Sequence, residues 1–166
     1  MPYQYKNIEQ ALAEVFKVST REMPAFRARI RDLRRVDVIP KSGSGRQIAY
    51  EQRDVIEIMV ALQLELLGFS PKEAAAMVRS KNVKAHIADA EKAVAKGAKF
   101  FLTVEPGFTL DAKILHTHSG WAVPPVAPEA HRFAGFNLAA SISLLRGALD
   151  RAQGKPGNFP FDLNSN

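Results

Sequence analysis

LGFSPKEAAAMV, residues 67–78, carries the end of one helix and the beginning of the next. Gly68 suits the first position past a helix, because it reaches the left-handed conformation without a Cβ clash. Ser70 can cap the following helix, Pro71 fits its first position, and Glu73 completes a capping box, which predicts a helix over 71–79. Upstream, residues 51–67 keep helical periodicity, with Val55, Met59, Leu62 and Leu66 on one stripe and Ile56, Val60 and Leu67 beside it. That stripe is expected to be core.

Toward the N-terminus, Ile8, Leu12, Val15 and Phe16 predict a helix over 7–17, followed by a break at VST. A second helix is expected from near Pro24 to Arg35. Residues 36–50, VDVIPKSGSGRQIAY, read as strand, turn and strand, with Gly43 and Gly45 supplying the turn. Toward the C-terminus, Val83, Ile87, Ala90 and Val94 predict a helix over 82–96, closed by Gly97. KFFLTV (99–104) reads as a buried strand turned by Pro106-Gly107, and TLDAKIL (109–115) as a second strand or an irregular segment. WAVPPVAPE (121–129) must be loop, because its prolines break both regular structures. Leu138, Ile142, Leu145 and Leu149 predict a last helix over 137–152, and residues 153–166 read as a tail. The expected fold class is mainly α with small β elements, divided as 5–80, a connecting helix 81–97, a strand and helix module 98–152, and the tail.

Hydrophobic content of 46% and charged content of 24% are those of a globular chain. The absence of cysteine excludes disulfides, thiolate metal sites and a cysteine nucleophile. The first residues lack a signal-peptide apolar core, and no uncharged run approaches the ~20 residues that span a bilayer. A soluble, cytoplasmic protein is expected. His116 and His118 share one face if their segment is extended, and His131 lies near in sequence, but no recognised ligand spacing joins them. No GxSxG, Walker or dinucleotide motif is present, so neither metal, cofactor nor catalysis is expected.

The charge is the informative quantity. The net charge is +6, and residues 1–46 hold ten Lys/Arg against five Asp/Glu, leaving thirteen against twelve for residues 47–166. A local excess suggests a patch that meets a polyanion. Its centre is AFRARIRDLRR (25–35), which holds five arginines and one aspartate. On a helix, Phe26, Ile30 and Leu33 form an apolar stripe, and Arg27, Arg31, Arg34 and Arg35 fall within about a 100° arc beside it, with Arg29 apart. Taken alone, such a row reads equally well as a solvated face.

From about residue 7 to 79, the order of elements resembles the winged helix-turn-helix of MerR-like transcription regulators. LGFSPKEAAAMV looks like the passage from third to fourth helix in that family, and GRQIAY (45–50) is similar to its wing. Extra residues between the second helix and the wing, and arginines in place of aromatics, are departures from its pattern. The resemblance implies a bacterial-type, sequence-specific regulator that binds double-stranded DNA and performs no chemistry.

Arginine suits this work because its planar fork grips a phosphate, or guanine O6 and N7, with two hydrogen bonds. Arg27 and Arg31 are the candidates for the groove, and Arg34 and Arg35 for phosphates. Lys41, Ser42, Ser44 and Arg46 at the hairpin tip are expected to reach flanking backbone. Arg21 and Tyr50 are weaker candidates, and packing is the favoured role for Tyr50. Residues 98–152 are expected to make a homodimer for paired half-sites, or to sense a ligand or bind a protein. Two rival readings remain: an architectural DNA-binding adaptor of excisionase or phage-packaging type, and a protein-interaction module whose basic face meets an acidic partner.

Overall fold

The computed structural model describes residues 2–36, 38, 50–105, 116–120 and 134–154. Among these the chain is mainly helical, with α1 (Tyr5–Val15), α2 (Met23–Arg35), α3 (Gln52–Leu66), α4 (Pro71–Arg79), α5 (Lys81–Ala95), β1 (Phe101–Glu105), β2 (His116–Gly120), β3 (Ala134–Asn137) and α6 (Leu138–Ala152). Helix bounds lie within about two residues of the periodicity in the sequence. The hairpin expected over 36–50 falls outside the described residues, apart from its ends. So do the turn at 106–107, the segment 109–115, the proline loop and most of the tail.

Several helix boundaries have a local cause. The Ser70–Glu73 box forms as the sequence predicts: the Ser70 N–H donates to Glu73 Oε2 at 2.8 Å, and the Glu73 N–H donates to Ser70 Oγ at 3.3 Å. Ser80 Oγ accepts the Val83 N–H at 3.2 Å and starts α5. Asp54 Oδ2 accepts the Glu51 N–H at 2.8 Å and starts α3. At the other ends, Gly68 (φ +98°) and Gly97 (φ +64°) take the left-handed turn, and the residues after them donate back to Leu64 O and Ala93 O. Lys17 takes the same conformation after α1 (φ +53°), with the Val18 N–H donating to Ala13 O, although it has a Cβ to accommodate.

The chain divides into two compact units, residues 1–78 with 143–166, and residues 79–142. The division runs through α6. In the first unit, Ile8, Leu12, Ile30, Leu33, Val55, Ile56, Met59 and Leu64 form the core, joined by Leu145 and Leu149 of α6. The Asn7 side chain donates to Ala152 O at 2.6 Å, and Arg151 pairs with Glu14, so the last helix is fastened to the first. Tyr3 and Tyr50 form an isolated antiparallel bridge, with N–H to O distances of 2.7 and 3.0 Å.

In the second unit, a small antiparallel sheet has the order β2-β1-β3. Central β1 pairs Phe101 with Gly120 on one side and with Asn137 on the other. Leu102 and Val104 are fully buried, and Thr103, on the alternate face, is nearly so. Gly135 of β3 lies opposite Thr103, so close that a Cβ there would meet Leu102 O at 2.7 Å. Val83, Ile87, Ala90 and Ala93 supply the buried face of α5.

Candidate nucleic-acid interface

Helix α2 turns its apolar stripe inward: Ile30 and Leu33 are fully buried and Phe26 is 8% exposed. Burying such side chains contributes about 1.5–3 kcal/mol each, enough to fix which way the helix faces. The arginines are thereby committed to the outside. Arg27, Arg29, Arg31 and Arg35 are exposed and Arg34 is half-buried.

Start and orientation of α2 come from the turn before it. The Ser19 N–H and Oγ donate to the Glu22 carboxylate at 3.0 and 2.5 Å, and Ser19 O accepts from Glu22 and Met23. Those bonds hold the Glu22 carboxyl below its ordinary pKa. The sequence signal for this is the S-x-x-E of STRE (19–22), which sequence reading missed in favour of Pro24. Phe16 and Phe26 stack at 5.9 Å with a 50° tilt, joining the end of α1 to α2.

The arginine row is not presented uniformly. Arg27 Nε donates to Glu9 Oε1 at 2.7 Å, with its side chain still 54% exposed. The Arg34 guanidinium lies 5.3 Å from the centre of the Tyr5 ring. Burial raises the Tyr5 phenol pKa, the Glu9 charge raises it further, and the Arg34 charge opposes both. These two arginines therefore run along the seam with α1. Arg35 pairs with Asp32 on its own helix, at 3.4 Å and with its side chain 82% exposed. Arg31 stands exposed between them. Arg29, expected to lie apart, lines a groove of about 300 Å³ with Lys17, Val18, Phe26 and Leu66, and its charge is felt by Glu65 of α3.

Arg21 sits exposed in the turn between α1 and α2. Tyr50, named among the candidate contacts, is 2% exposed, with its backbone bridged to Tyr3. Burial raises the pKa of its phenol, and the ring serves packing rather than a phosphate. Lys41, Ser42, Ser44 and Arg46 lie outside the described residues. Positions 116 and 118 fall in β2, whereas His131 lies outside. Among the described residues no group of three metal-ligating side chains occurs, and no helix is long and apolar enough to cross a membrane.

This arrangement presents several guanidinium groups on the outward side of α2, a chemistry that suits an anionic partner. The buried stripe beneath them sets where around the helix the arginines emerge, and two guanidinium groups are further steered by Glu9 and Tyr5. No family model and no curated protein matches the chain.

Proposed function

We propose that the chain is a sequence-specific, double-stranded DNA-binding transcription regulator of winged helix-turn-helix type. In this reading α1 and α2 are the helix-turn-helix, α2 enters the major groove, and residues 36–50 form the wing. Arg31 and Arg27 meet base edges. Arg35, Arg34 and Arg21 meet phosphates, with Lys41, Ser42, Ser44 and Arg46 on flanking backbone. A homodimer presents two such helices to paired half-sites.

One observation carries the reading: the stripe Phe26, Ile30 and Leu33 is buried while the arginine row faces outward. Among the described residues, only Arg27 of that row is tied to a carboxylate on another helix. A helix built merely for solubility would mix its charges, whereas this one carries five arginines and one aspartate.

The test is duplex selection from a random pool, followed by Arg31→Ala and Arg35→Ala. Losing Arg31 is expected to cost about 1–3 kcal/mol on the selected site and less on random duplex. Losing Arg35 is expected to weaken both equally and to reduce the salt slope by about 0.9. Absence of any duplex binding at low salt overturns the reading.

A further inference from the structure

A second basic face lies on α5, in the other unit. Residues 79–99 hold six Lys/Arg (Arg79, Lys81, Lys84, Lys92, Lys96 and Lys99) against two acids, Asp89 and Glu91. All six cations are exposed. At 100° per residue, Lys81, Lys84, Lys92 and Lys96 fall within about a 120° arc of the helix, opposite the buried Val83, Ile87, Ala90 and Ala93. Ala85, Ala88 and Ala95 occupy the rest of that arc, so no bulky side chain stands between the lysines and a flat or grooved partner. Asp89 lies at the edge of the arc, with its carboxylate on Lys92 Nζ at 2.8 Å.

We propose that this face of α5 is a sequence-independent contact for the phosphate backbone of duplex DNA. The choice of occupant rests on the DNA-binding reading above. The face itself rests on separate residues.

Three properties favour a phosphate backbone. The cations are lysines, which act as point charges on phosphate and lack the planar fork that reads guanine. They form two pairs, Lys81 with Lys84 and Lys92 with Lys96, whose midpoints lie ~17 Å apart along the helix at ~1.5 Å per residue. With the reach of their flexible stems, those pairs can meet the two phosphate walls of a major groove ~12 Å wide. The third property is what the face lacks. A membrane-lying helix inserts large apolar residues beside its lysines, but here the apolar residues of α5, Val83, Ile87, Ala90 and Ala93, are already buried. Aromatic and arginine anchors of a protein interface are absent from the arc.

The experiment uses the full chain with Lys81, Lys84, Lys92 and Lys96 all changed to Gln, beside the same four changed to Arg. Glutamine has nearly the helix propensity of lysine, so α5 is preserved, which far-ultraviolet circular dichroism checks. The glutamine variant is expected to bind duplex at least about a hundred-fold more weakly at low salt, with a log–log salt slope smaller by about three to four, roughly 0.9 for each lost contact. Its ratio of specific to random affinity is expected to be unchanged, and the arginine variant to bind like the parent. An independent readout on the unaltered protein is acetylation of lysines with and without duplex, in which these four should be protected.

An unchanged slope and unprotected lysines, in a parent that does bind duplex, overturn the proposal and leave the DNA-binding reading standing. A parent that binds no duplex overturns both. Loss of binding to phosphatidylserine vesicles with duplex affinity intact assigns the face to a membrane instead, and equally overturns it.

Discussion

Glu9 of α1 holds Arg27 of α2 through a 2.7 Å bond to Nε, across a separation of 18 residues in sequence. The pair lies on the face proposed to meet DNA, so the carboxylate competes with the duplex for the guanidinium. Glu9→Gln is expected to raise duplex affinity about two- to five-fold and to cost at most about 1 kcal/mol of stability, as for other solvent-touched ion pairs. Fluorescence anisotropy and urea unfolding measure the two. A fall in affinity would mean that Glu9 aims Arg27 at the groove rather than withholding it.

Glu65 gives stability a pH dependence of unusual sign for a carboxylate. Burial pushes its pKa up from 4.5, Arg29 opposes the shift and Asp32 adds to it, and Oε1 has no hydrogen-bond partner among the described residues. The folded chain therefore holds this proton where the unfolded chain has released it. Between the two pKa values the folded state binds more protons, so this group's contribution falls as pH rises through the interval. Glu65→Gln is expected to raise the melting temperature at pH 7 and to change it little at pH 4. The same gain at both values would exclude titration as the cause.

Two left-handed positions should respond oppositely to substitution. Gly68→Ala places a Cβ at φ +98° and is expected to destabilise by about 1–2 kcal/mol. Lys17→Gly removes a Cβ from φ +53° and is expected to stabilise by up to about 1 kcal/mol, the gain being reduced by the freer unfolded chain. Denaturant midpoints at constant slope check both.

Gly135 is required by close approach. An added Cβ would lie 2.7 Å from both Leu102 O and Thr103 Cγ2. Gly135→Ala is expected to push β3 away from β1 at a cost of about 1–3 kcal/mol. Faster hydrogen exchange at the amides of β1 would report it. Unchanged exchange would show that the sheet absorbs the methyl group.

Much of this architecture is legible in local sequence because local physics sets it. Ser70 and Glu73 must lie three apart to cap one another, and Gly68 and Gly97 stand where helices need a left-handed residue. The stripe on α2 follows from 3.6 residues per turn. Contacts between residues far apart in sequence are not legible in that way. Nothing near Glu9 announces Arg27, and nothing near Asn7 announces Ala152, 145 residues away. Tyr50 could read as packing or as a phosphate contact until its burial and its bridge to Tyr3 are seen. The lysine face of α5 is hidden by tallying charge over residues 47–166, where acids elsewhere cancel it. Only the helical arc brings those lysines together.

The return of α6 to α1 has a consequence for synthesis. Residues 1–78 lack Leu145 and Leu149 until the ribosome has passed through the whole second unit, 79–142. At roughly 5–20 residues per second that delay is about 3–13 s. During it the nascent N-terminal helices expose the apolar surface that α6 will cover, a window in which a chaperone, or a neighbouring nascent chain, can reach them first.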